Sequence, residues 1–438
     1  MPATGRVSSW GNVSRHEHLL LDLPDRQAAF PHIAPAASVL PRGNGRSYGD
    51  SCLNAGQALL QMRGLDRFIQ FDPASGTLSC EAGTLLADIL RLALPQGWTL
   101  PVSPGTRFVT VGGAIANDVH GKNHHHAGTF SASVRRFELL RSDGSRRICS
   151  ETENRGLFAA TVGGLGLTGV ITWAQIQLRR VAGAWMDVET IRFGNLDEFL
   201  ALSADSDRGF EYTVAWVDCL ASGRRLGRGL LQRANHSDRL DPVPGQRQRL
   251  DIPLTPPISA VNRLSLRLFN TLYYHRQLQA RQRSTQPIES LLYPLDGIGH
   301  WNRLYGPPGF HQYQCVIPGT AGRDATAALL DTIARSGQGS FLAVLKLFGN
   351  HSSPGLLSFP REGITLALDF PNRGERSESL FRSLDAIVQS AGGRLYPAKD
   401  SRMPGSLFRS GYPNWPEFHT YIDPRCSSSF WRRVMEDA

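Results

Sequence analysis

The chain has 438 residues, which is long enough for two or three domains with full hydrophobic cores. Hydrophobic residues make up 41% of it and charged residues 19%, a composition that excludes a disordered chain and a small disulfide-stapled scaffold. Lysine and arginine total 47 against 38 aspartates and glutamates, a net charge of +9 in which arginine far outnumbers lysine. Such a surplus of positive charge favours contact with phosphorylated molecules or acidic membrane surfaces. It is equally common in proteins where the charge serves only solubility.

The cysteines and the apolar stretches indicate the cellular compartment in which the protein is expected. The six cysteines contain no CxxC pair, which predicts reduced thiols and gives no sign of a zinc or redox site. The longest apolar stretch near the N-terminus, Leu19–Leu23, is too short for the core of a signal peptide. No segment approaches the roughly eighteen apolar residues that span a bilayer. We therefore expect a cytoplasmic protein whose basic surface allows peripheral contact with a membrane.

Residues 57–181 alternate short β-rich runs with one or two helices, which predicts an α+β layout. A helix is expected to open at Thr84. Asp143-Gly144 stands between two alternating runs in Phe137–Ile148, the pattern of a β-hairpin. Further strands are predicted at Leu59–Met62, Thr77–Glu81 and Val170–Leu178.

After about Ala184 the pattern restarts, which predicts a second domain. Strands are predicted at Met186–Phe193, Tyr212–Val217, Leu226–Gln232, Gln312–Ile317, Phe341–Phe348 and Ile364–Phe370. Helices are predicted at Asn195–Ala204 with Asn195 as N-cap, at Ala260–Arg281 as an amphipathic basic helix, at Arg323–Arg335 and at Ser377–Ser390. The aperiodic stretch Asn235–Pro257 is expected to be an exposed loop, a candidate lid or membrane-facing segment.

Three glycine-rich segments lie in the first half, at Arg42–Asp50, Pro104–His125 and Thr161–Val170. Glycine lets backbone N–H groups approach a phosphate or a ring closely, and runs of such groups bind anions. Each segment alone is more typical of tight turns and close packing. Three of them in one α+β domain shift the balance toward anion or ring binding.

Four other kinds of site are disfavoured. Gly43 and Gly45 are not followed by the third glycine of a dinucleotide fingerprint, and Gly121-Lys122 is followed by Asn123 instead of a Walker serine or threonine. The adjacent His124–His126 lack the spacing of a helix-borne zinc site, so we expect no metal. Basic and aromatic residues do not interleave as they do in nucleic-acid-binding proteins.

In this order and layout, the segments resemble the FAD-binding domain of the vanillyl-alcohol-oxidase/PCMH flavoprotein superfamily. The strings VHGKNHH at 119–125 and LYPAKDSR at 395–402 more closely resemble the family of oxidase subunits of decaprenylphosphoryl-β-D-ribose 2′-epimerases, and the resemblance spans most of the chain. It implies a two-part PCMH-type FAD-binding domain over residues 1–183 and 394–438. Between them it implies an α+β substrate domain with an antiparallel sheet, over residues 184–393.

The resemblance also implies which residues contact FAD. Many relatives tether the flavin through a histidine at the position that Arg46 occupies here, so we expect non-covalent FAD. The implied cofactor-binding residues are Gly43, Asn44, Gly45, Arg46, Ser47, Tyr48, Gly49, Gly105, Thr110, Gly112, Gly113, Asn117, His120, Ile171 and Tyr396.

The catalytic residues implied by the resemblance are Lys399, Tyr48 and His120, and the choice of base among them stays open. The implied substrate-binding residues are Gln312, Gln314, Lys346 and Lys399. Gln312 and Gln314 alternate on one strand and so share a face, toward which Lys346 is expected to project from the neighbouring strand. Lys346 stands in an apolar run and needs a partner, either a substrate phosphate or Asp369. Trp216 is expected in the core or the pocket wall.

The implied reaction is oxidation of the 2′-hydroxyl of a lipid-linked phosphosugar, a polyprenyl-phosphoryl pentose of the ribose type, to the keto sugar. A short-chain dehydrogenase/reductase partner would then complete an epimerisation. The alternative is a soluble aldonolactone or alditol oxidase of the same superfamily.

Overall fold

The computed structural model describes residues 3–241 and 250–436. Its strands are Ala3–Ser8 (β1), Arg15–Asp22 (β2), Val39–Arg42 (β3), Ala58–Gln61 (β4), Phe68–Asp72 (β5), Thr77–Glu81 (β6), Trp98–Thr99 (β7), Val134–Leu140 (β8), Arg146–Cys149 (β9), Val170–Gln177 (β10), Arg179–Arg180 (β11), Trp185–Phe193 (β12), Tyr212–Val217 (β13), Gly229–His236 (β14), Leu250–Asp251 (β15), Arg281–Pro287 (β16), Ile298–Gly299 (β17), Phe310–Ile317 (β18), Ala343–Phe348 (β19), Gly363–Pro371 (β20) and Arg394–Leu395 (β21). Its helices are Leu86–Ala93 (α1), Val111–Ala116 (α2), His124–Ala127 (α3), Arg155–Thr161 (α4), Leu196–Ser206 (α5), Arg263–His275 (α6), Ile288–Leu292 (α7), Gly322–Ser336 (α8), Glu375–Ser390 (α9), Gly405–Gly411 (α10), Trp415–His419 (α11) and Ser429–Met435 (α12).

The first half of the chain forms two principal sheets. The first has the order β1-β2-β4-β3 and mixes antiparallel and parallel pairs. The second has the order β5-β6-β10-β8-β9 and is antiparallel throughout. Buried side chains of α1 and α2 pack against the second sheet. The α+β layout predicted from the sequence is confirmed.

The second half forms one antiparallel sheet of eight strands in the order β16-β12-β14-β13-β19-β20-β18-β21. Side chains alternate between the two faces of a strand. Tyr313 and Cys315 of β18 therefore point into the large core that α8 and α9 cover, where Phe381 stacks on Tyr313. Gln312 and Gln314 point to the opposite face, which lines a cavity. One face of the sheet thus packs into the core, and the other, which we call the polar face, carries the two glutamines into the cavity.

The C-terminal segment contacts both halves of the molecule. Leu395 pairs with Cys315 at the edge of the eight-stranded sheet. Further on, the N–H of Ser427 donates to the carbonyl of Val39, and Arg433 forms an ion pair with Asp50. The division into residues 1–183 with 394–438 and residues 184–393 stays a prediction.

Most predicted elements are present, with local exceptions. The hairpin turns at Gly144 with φ +81°, and the Asn195 side chain accepts the N–H of Glu198 as an N-cap. Thr84 does not open a helix, because α1 begins two residues later at Leu86. The predicted helix over Ala260–Arg281 was too long, since α6 ends at His275 and Arg281 begins β16.

The region predicted as an exposed loop is only partly described. Asn235 and His236 belong to β14, which continues past the predicted end at Gln232. The predicted start of that strand at Leu226 was too early, because Gly227 adopts φ +73° and turns the chain before β14 begins. Residues 242–249 of the loop lie outside the described residues. Across residues 3–241 and 250–436, each helix is too short or too polar to cross a bilayer.

Candidate active site

A cavity of about 730 Å³ lies between the polar face of the eight-stranded sheet and the glycine-rich loops of the first half. This volume is within the range of sites that hold cofactors and small ligands. The site residues predicted from the sequence that line the cavity are Gly43, Asn44, Gly45, Arg46, Ser47, Tyr48, Gly105, Thr110, Gly112, Gly113, Asn117, His120, Ile171, Gln312, Gln314, Lys346, Tyr396 and Lys399.

Gly49 is the predicted residue that lies outside this lining. A Cβ atom on Gly49 would collide with the backbone carbonyl of Asp400, so glycine lets the first loop pass close to the C-terminal segment. Beside it, the N–H of Tyr48 donates to the carbonyl of Ala398 at 3.0 Å. The glycine therefore supports the position of Tyr48 and does not face the cavity.

The first glycine loop presents donors that have no partner in the protein. Gly45 adopts φ +60°, a conformation that favours glycine. The backbone N–H groups of residues 44–47 donate no hydrogen bond to any other described residue. The Nε atoms of Arg42 and Arg46 are also buried without a partner among the described residues. Unpaired buried donors are costly, so this loop fits a ligand rich in acceptor oxygens.

The other two glycine segments meet the first loop at the same cavity. The side-chain amide of Asn44 donates to the carbonyl of Phe108 at 2.7 Å, which ties the first loop to the second. Thr110 accepts the N–H of Gly113 at 3.1 Å and so caps α2. The third segment lines the cavity with Leu165, Gly166 and Gly169. Ile171, one residue past this segment, is buried in the wall. The three segments that the sequence singles out therefore converge.

His120 is held between the two halves of the molecule. Its Nδ1 lies 2.8 Å from Nζ of Lys346, and its Nε2 lies 3.0 Å from Nε2 of Gln314. Its ring packs against Phe348 with a centroid separation of 4.8 Å. Burial, reinforced by the charge of Lys346, lowers the pKa of His120 well below its ordinary value. The imidazole is therefore neutral at physiological pH.

The lysines of this protein share one location. Lys122, Lys346 and Lys399 are the only lysines in the sequence, and all three line the cavity. Burial lowers the pKa of Lys122 to about 8, of Lys346 to about 7 and of Lys399 to about 8. An amine can lose its proton in this way and a guanidinium cannot, so the site contains groups able to exchange a proton near neutral pH.

Tyr48, Lys399 and Asp369 form a second buried group. Nζ of Lys399 lies 3.9 Å from the centroid of the Tyr48 ring. Asp369 accepts a hydrogen bond of 2.6 Å from Gln312, and burial raises its pKa to about 7. Burial and the nearby Asp369 raise the pKa of Tyr48 well above its ordinary value. Tyr48 is therefore a hydrogen-bond donor and keeps its proton.

Two details of the predicted substrate face need correction. Lys346 does not pair with Asp369, because its ammonium group contacts His120 and donates to the carbonyl of Gly121 at 2.9 Å. Lys346 also does not lie on the strand next to Gln314, because β20 separates β19 from β18. Trp216 was predicted to lie in the core or in the pocket wall, and it lines the cavity.

Comparison with known proteins gives the family. A family described as FAD binding domain matches residues 32–150. The decaprenylphosphoryl-beta-D-ribose oxidase of Mycolicibacterium smegmatis is 36% identical over 442 aligned residues, covering 96% of this chain and 95% of that protein. This chain belongs to the same family. It is a PCMH-type, FAD-dependent oxidoreductase, and FAD is its cofactor.

Three other relatives match a smaller share of the chain. An uncharacterized protein of Streptomyces coelicolor is 36% identical and covers 77% of this chain and 95% of its own length. Cytokinin dehydrogenase 7 of rice is 32% identical over 41% of this chain and 36% of its own length. Mouse L-gulonolactone oxidase is 31% identical over 31% of this chain and 30% of its own length.

The residues of the cavity fit FAD. The unpaired N–H groups of residues 44–47 and the partnerless Nε atoms of Arg42 and Arg46 suit the oxygens of a pyrophosphate. Gly105 faces open space at the cavity, with no atom within 4 Å of the position that its Cβ would take. The cavity therefore offers free hydrogen-bond donors and open space to a ligand rich in acceptor oxygens, as FAD is.

Lys122 had no predicted role, although the scarcity of lysine in the sequence could have drawn attention to it. Asp296 was also missed. Its carboxylate accepts the N–H of Arg107 at 2.9 Å and lines the cavity near Arg46. Its position depends on the chain from residue 294 to 297 folding back on the second loop, and no local pattern indicates this contact.

Proposed function

We propose that this protein uses FAD to oxidise the 2′-hydroxyl of a polyprenyl-phosphoryl pentose of the ribose type to the keto sugar. The main support is the similarity to the M. smegmatis decaprenylphosphoryl-beta-D-ribose oxidase, because it extends over 96% of this chain and thus includes both sides of the cavity. The matches to cytokinin dehydrogenases and L-gulonolactone oxidase cover less than half of the chain. They therefore cannot span the cavity, whose lining residues run from Trp10 to Lys399.

In this proposal the glycine loops hold FAD without a covalent bond. Residues 43–48 would contact the pyrophosphate, with Gly105, Thr110, Gly112, Gly113 and Asn117 around the rest of the cofactor. Tyr396 would close this side, since its hydroxyl donates to the carbonyl of Asn117 at 2.9 Å. Arg46 stacks over Trp10 at 4.0 Å and offers no nucleophile for a tether. Held by these residues, FAD would supply the acceptor for a hydride from the substrate carbon.

Lys399 is the proposed acceptor of the hydroxyl proton. A pKa of about 8 leaves about a tenth of its side chain as the free amine at pH 7. Tyr48 keeps its proton and so acts as a donor to the sugar. Both ring nitrogens of His120 already face Lys346 and Gln314, which suits a positioning role. Lys399 is therefore the best supported of the three candidate bases.

The polar face of the sheet would bind the sugar and its phosphate. Gln312 and Gln314 both line the cavity and can hydrogen-bond sugar hydroxyls. Lys346 and Lys122 add positive charge, and burial strengthens their attraction for a phosphate. Phosphate binding would in turn raise the pKa of both lysines.

We also propose the wider setting of the reaction. The keto product would pass to a short-chain dehydrogenase/reductase partner, which would reduce it to the epimer. A lipid-linked substrate would require peripheral contact with a membrane. In this proposal residues 1–183 and 394–438 form the FAD-binding domain, and residues 184–393 form the substrate-binding domain.

A substrate screen tests this function. The purified protein, reconstituted with FAD, is mixed anaerobically with a polyprenyl-phosphoryl ribose, and the loss of the flavin absorption band is followed. We expect bleaching by this compound and none by L-gulonolactone or xylitol at the same concentration. Bleaching by the free lactone or alditol alone would instead establish the soluble aldonolactone or alditol oxidase. A protein that binds no FAD would contradict both.

A further inference from the structure

The exposed large hydrophobic side chains of the described residues are concentrated in one stretch of the sequence. Phe68 and Ile69 are the large exposed hydrophobic residues that lie elsewhere. The others fall between residues 240 and 278, and they are Leu240, Leu250, Leu254, Ile258, Leu264, Leu268, Leu272 and Leu278. Where such side chains form a contiguous patch, they mark a surface that binds a partner or a lipid.

Helix α6 has two apolar faces, and only one of them is covered. Leu264, Leu268 and Leu272 follow each other at four-residue intervals, so they form one stripe along the helix. They are 78%, 62% and 64% exposed. On the opposite side, Leu266 is buried and Phe269 packs on Phe341 with a centroid separation of 4.8 Å. The stripe, which we call the leucine face, thus points away from the protein.

Positive charge accompanies the leucine face. Arg263 and Arg267 are exposed on the same helix, and α6 contains no aspartate or glutamate. One residue beyond its end, Arg276 is also exposed and lies over the Tyr273 ring at 3.8 Å. Leucines flanked by arginines are the pattern of helices that lie in the interface of a bilayer with acidic lipids. A second copy of the chain would bring arginines against arginines, which disfavours self-association through this face.

The inner side of α6 belongs to the cavity wall. Tyr273 lines the cavity and packs against Trp216 with a centroid separation of 4.6 Å. Strand β15, which precedes the helix in the chain, also lies beside the cavity, since Leu250 pairs with Ile298, a lining residue. A surface that covers the leucine face would therefore lie next to the substrate-binding side.

We infer that α6 docks through its leucine face on an anionic phospholipid membrane and so holds the cavity beside the bilayer. This inference rests on the proposed function, because a substrate with a polyprenyl tail resides in the lipid. The arginines contact lipid phosphates and the leucines enter the boundary between headgroups and acyl chains. Docking then delivers the phosphosugar to the cavity without full extraction of the tail.

Vesicle co-sedimentation of the FAD-loaded protein tests the inference. The vesicles are phosphatidylcholine with or without phosphatidylglycerol. We expect binding to the phosphatidylglycerol vesicles that is weakened by added salt. The triple variant Leu264→Ser, Leu268→Ser, Leu272→Ser should bind these vesicles at least about tenfold more weakly. The variant Arg263→Gln, Arg267→Gln should lose much of the preference for phosphatidylglycerol.

The matched control is Phe68→Ser, Ile69→Ser, which removes the exposed apolar residues outside the region and should bind as the unmodified protein does. Unchanged flavin absorption and gel-filtration volume verify that each variant is folded. Vesicle binding that is absent, or equal in the leucine variant, overturns the inference. A dimer that the leucine variant converts to a monomer also overturns it and assigns the face to self-association.

The two proposals fail separately. An enzyme that oxidises polyprenyl-phosphoryl ribose but ignores vesicles contradicts only the docking. A protein that binds vesicles through the leucine face but oxidises only free sugars contradicts only the substrate.

Discussion

The two sides of the cavity are built from different parts of the chain. The loop side presents backbone groups, with N–H donors of residues 44–47 that have no partner among the described residues. The sheet side presents long side chains, including Lys346 and Asp369, that are almost completely buried. In the proposed function the first arrangement binds FAD through backbone geometry that few side chains can alter. The second holds titratable groups whose pKa values burial brings toward neutrality.

This difference indicates how the two sides respond to mutation. On the loop side a substitution acts through steric fit, so it should change stability or FAD affinity. On the sheet side a substitution removes a functional or titratable group, so it should change the rate of the reaction, or the pH dependence of the rate or of stability, while FAD stays bound.

The largest effect is expected at Lys399. Lys399→Met should slow flavin reduction by the substrate about 10²–10⁴-fold, because it removes the proposed proton acceptor. Stopped-flow absorbance under anaerobic conditions measures this rate, and FAD content should be unchanged. Lys399→Arg is the control that keeps the positive charge but cannot supply a neutral amine, and it should be similarly slow. A fast arginine variant would show that only the charge matters.

The next effect is on the loop side. Gly49→Ala should lower the free energy of unfolding by about 2–3 kcal/mol, because the new Cβ meets the backbone of Asp400. Gly319→Ala is the control, since no atom lies within 4 Å of its Cβ position and it does not line the cavity, and it should change stability by less than about 0.5 kcal/mol. Denaturant unfolding of the FAD-loaded protein compares them. Equal effects would mean that close packing does not explain Gly49.

Lys346 should reveal the cost of burying charge on the sheet side. Burial lowers its pKa from 10.5 to about 7, so the unfolded chain binds more protons between these pH values and stability rises with pH there. Lys346→Met removes the contribution of this lysine to the pH dependence of stability, while Lys122 and Lys399 keep theirs. The variant should be more stable by about 2 kcal/mol at pH 7, after the loss of two hydrogen bonds is deducted. Its advantage should shrink toward pH 10.5.

Chemical unfolding at several pH values measures the Lys346 effect. Arg91→Met serves as the control, because the side chain of Arg91 is 78% exposed on α1 and should not alter the pH slope. If the free energy of unfolding changed with pH equally in Lys346→Met and the unmodified protein, the cost assigned to burying the Lys346 charge would be wrong.

The smallest effect is expected at Tyr396, which joins the C-terminal segment to the loop side. Tyr396→Phe removes the hydrogen bond of 2.9 Å to the Asn117 carbonyl. We expect FAD affinity to fall about fivefold, which corresponds to about 1 kcal/mol, the usual contribution of such a bond. Fluorescence titration with FAD measures the change. An unchanged affinity would mean that the segment does not support the cofactor side.

Local signals in the sequence predicted local features well. The turn at Asp143-Gly144 and the N-cap at Asn195 depend on residues next to one another, and both are present. The alternation of Gln312 and Gln314 correctly placed both on one face, because the period of a strand is two residues. The convergence of the three glycine segments came from resemblance, since their spacing alone does not define a shared cavity.

Features that depend on distant contacts were not predictable in this way. Lys346 pairs with His120, which is 226 residues away in the chain. The end of α6 is set where Arg281 joins the edge of the eight-stranded sheet beside β12. Thr84 resembles a helix cap, but its N–H and its carbonyl bond to Glu81 and Val111 instead. In each case tertiary pairing overrides the local pattern.

The pH dependence of flavin reduction by polyprenyl-phosphoryl ribose tests most directly whether a buried lysine takes the substrate proton. In the unmodified enzyme the rate should rise about tenfold per pH unit and level off above about pH 8, where Lys399 becomes neutral. Lys399→Arg should lose this inflection while keeping its FAD. A rate that does not change across this range in the unmodified enzyme, or an inflection that survives in the variant, would contradict the account.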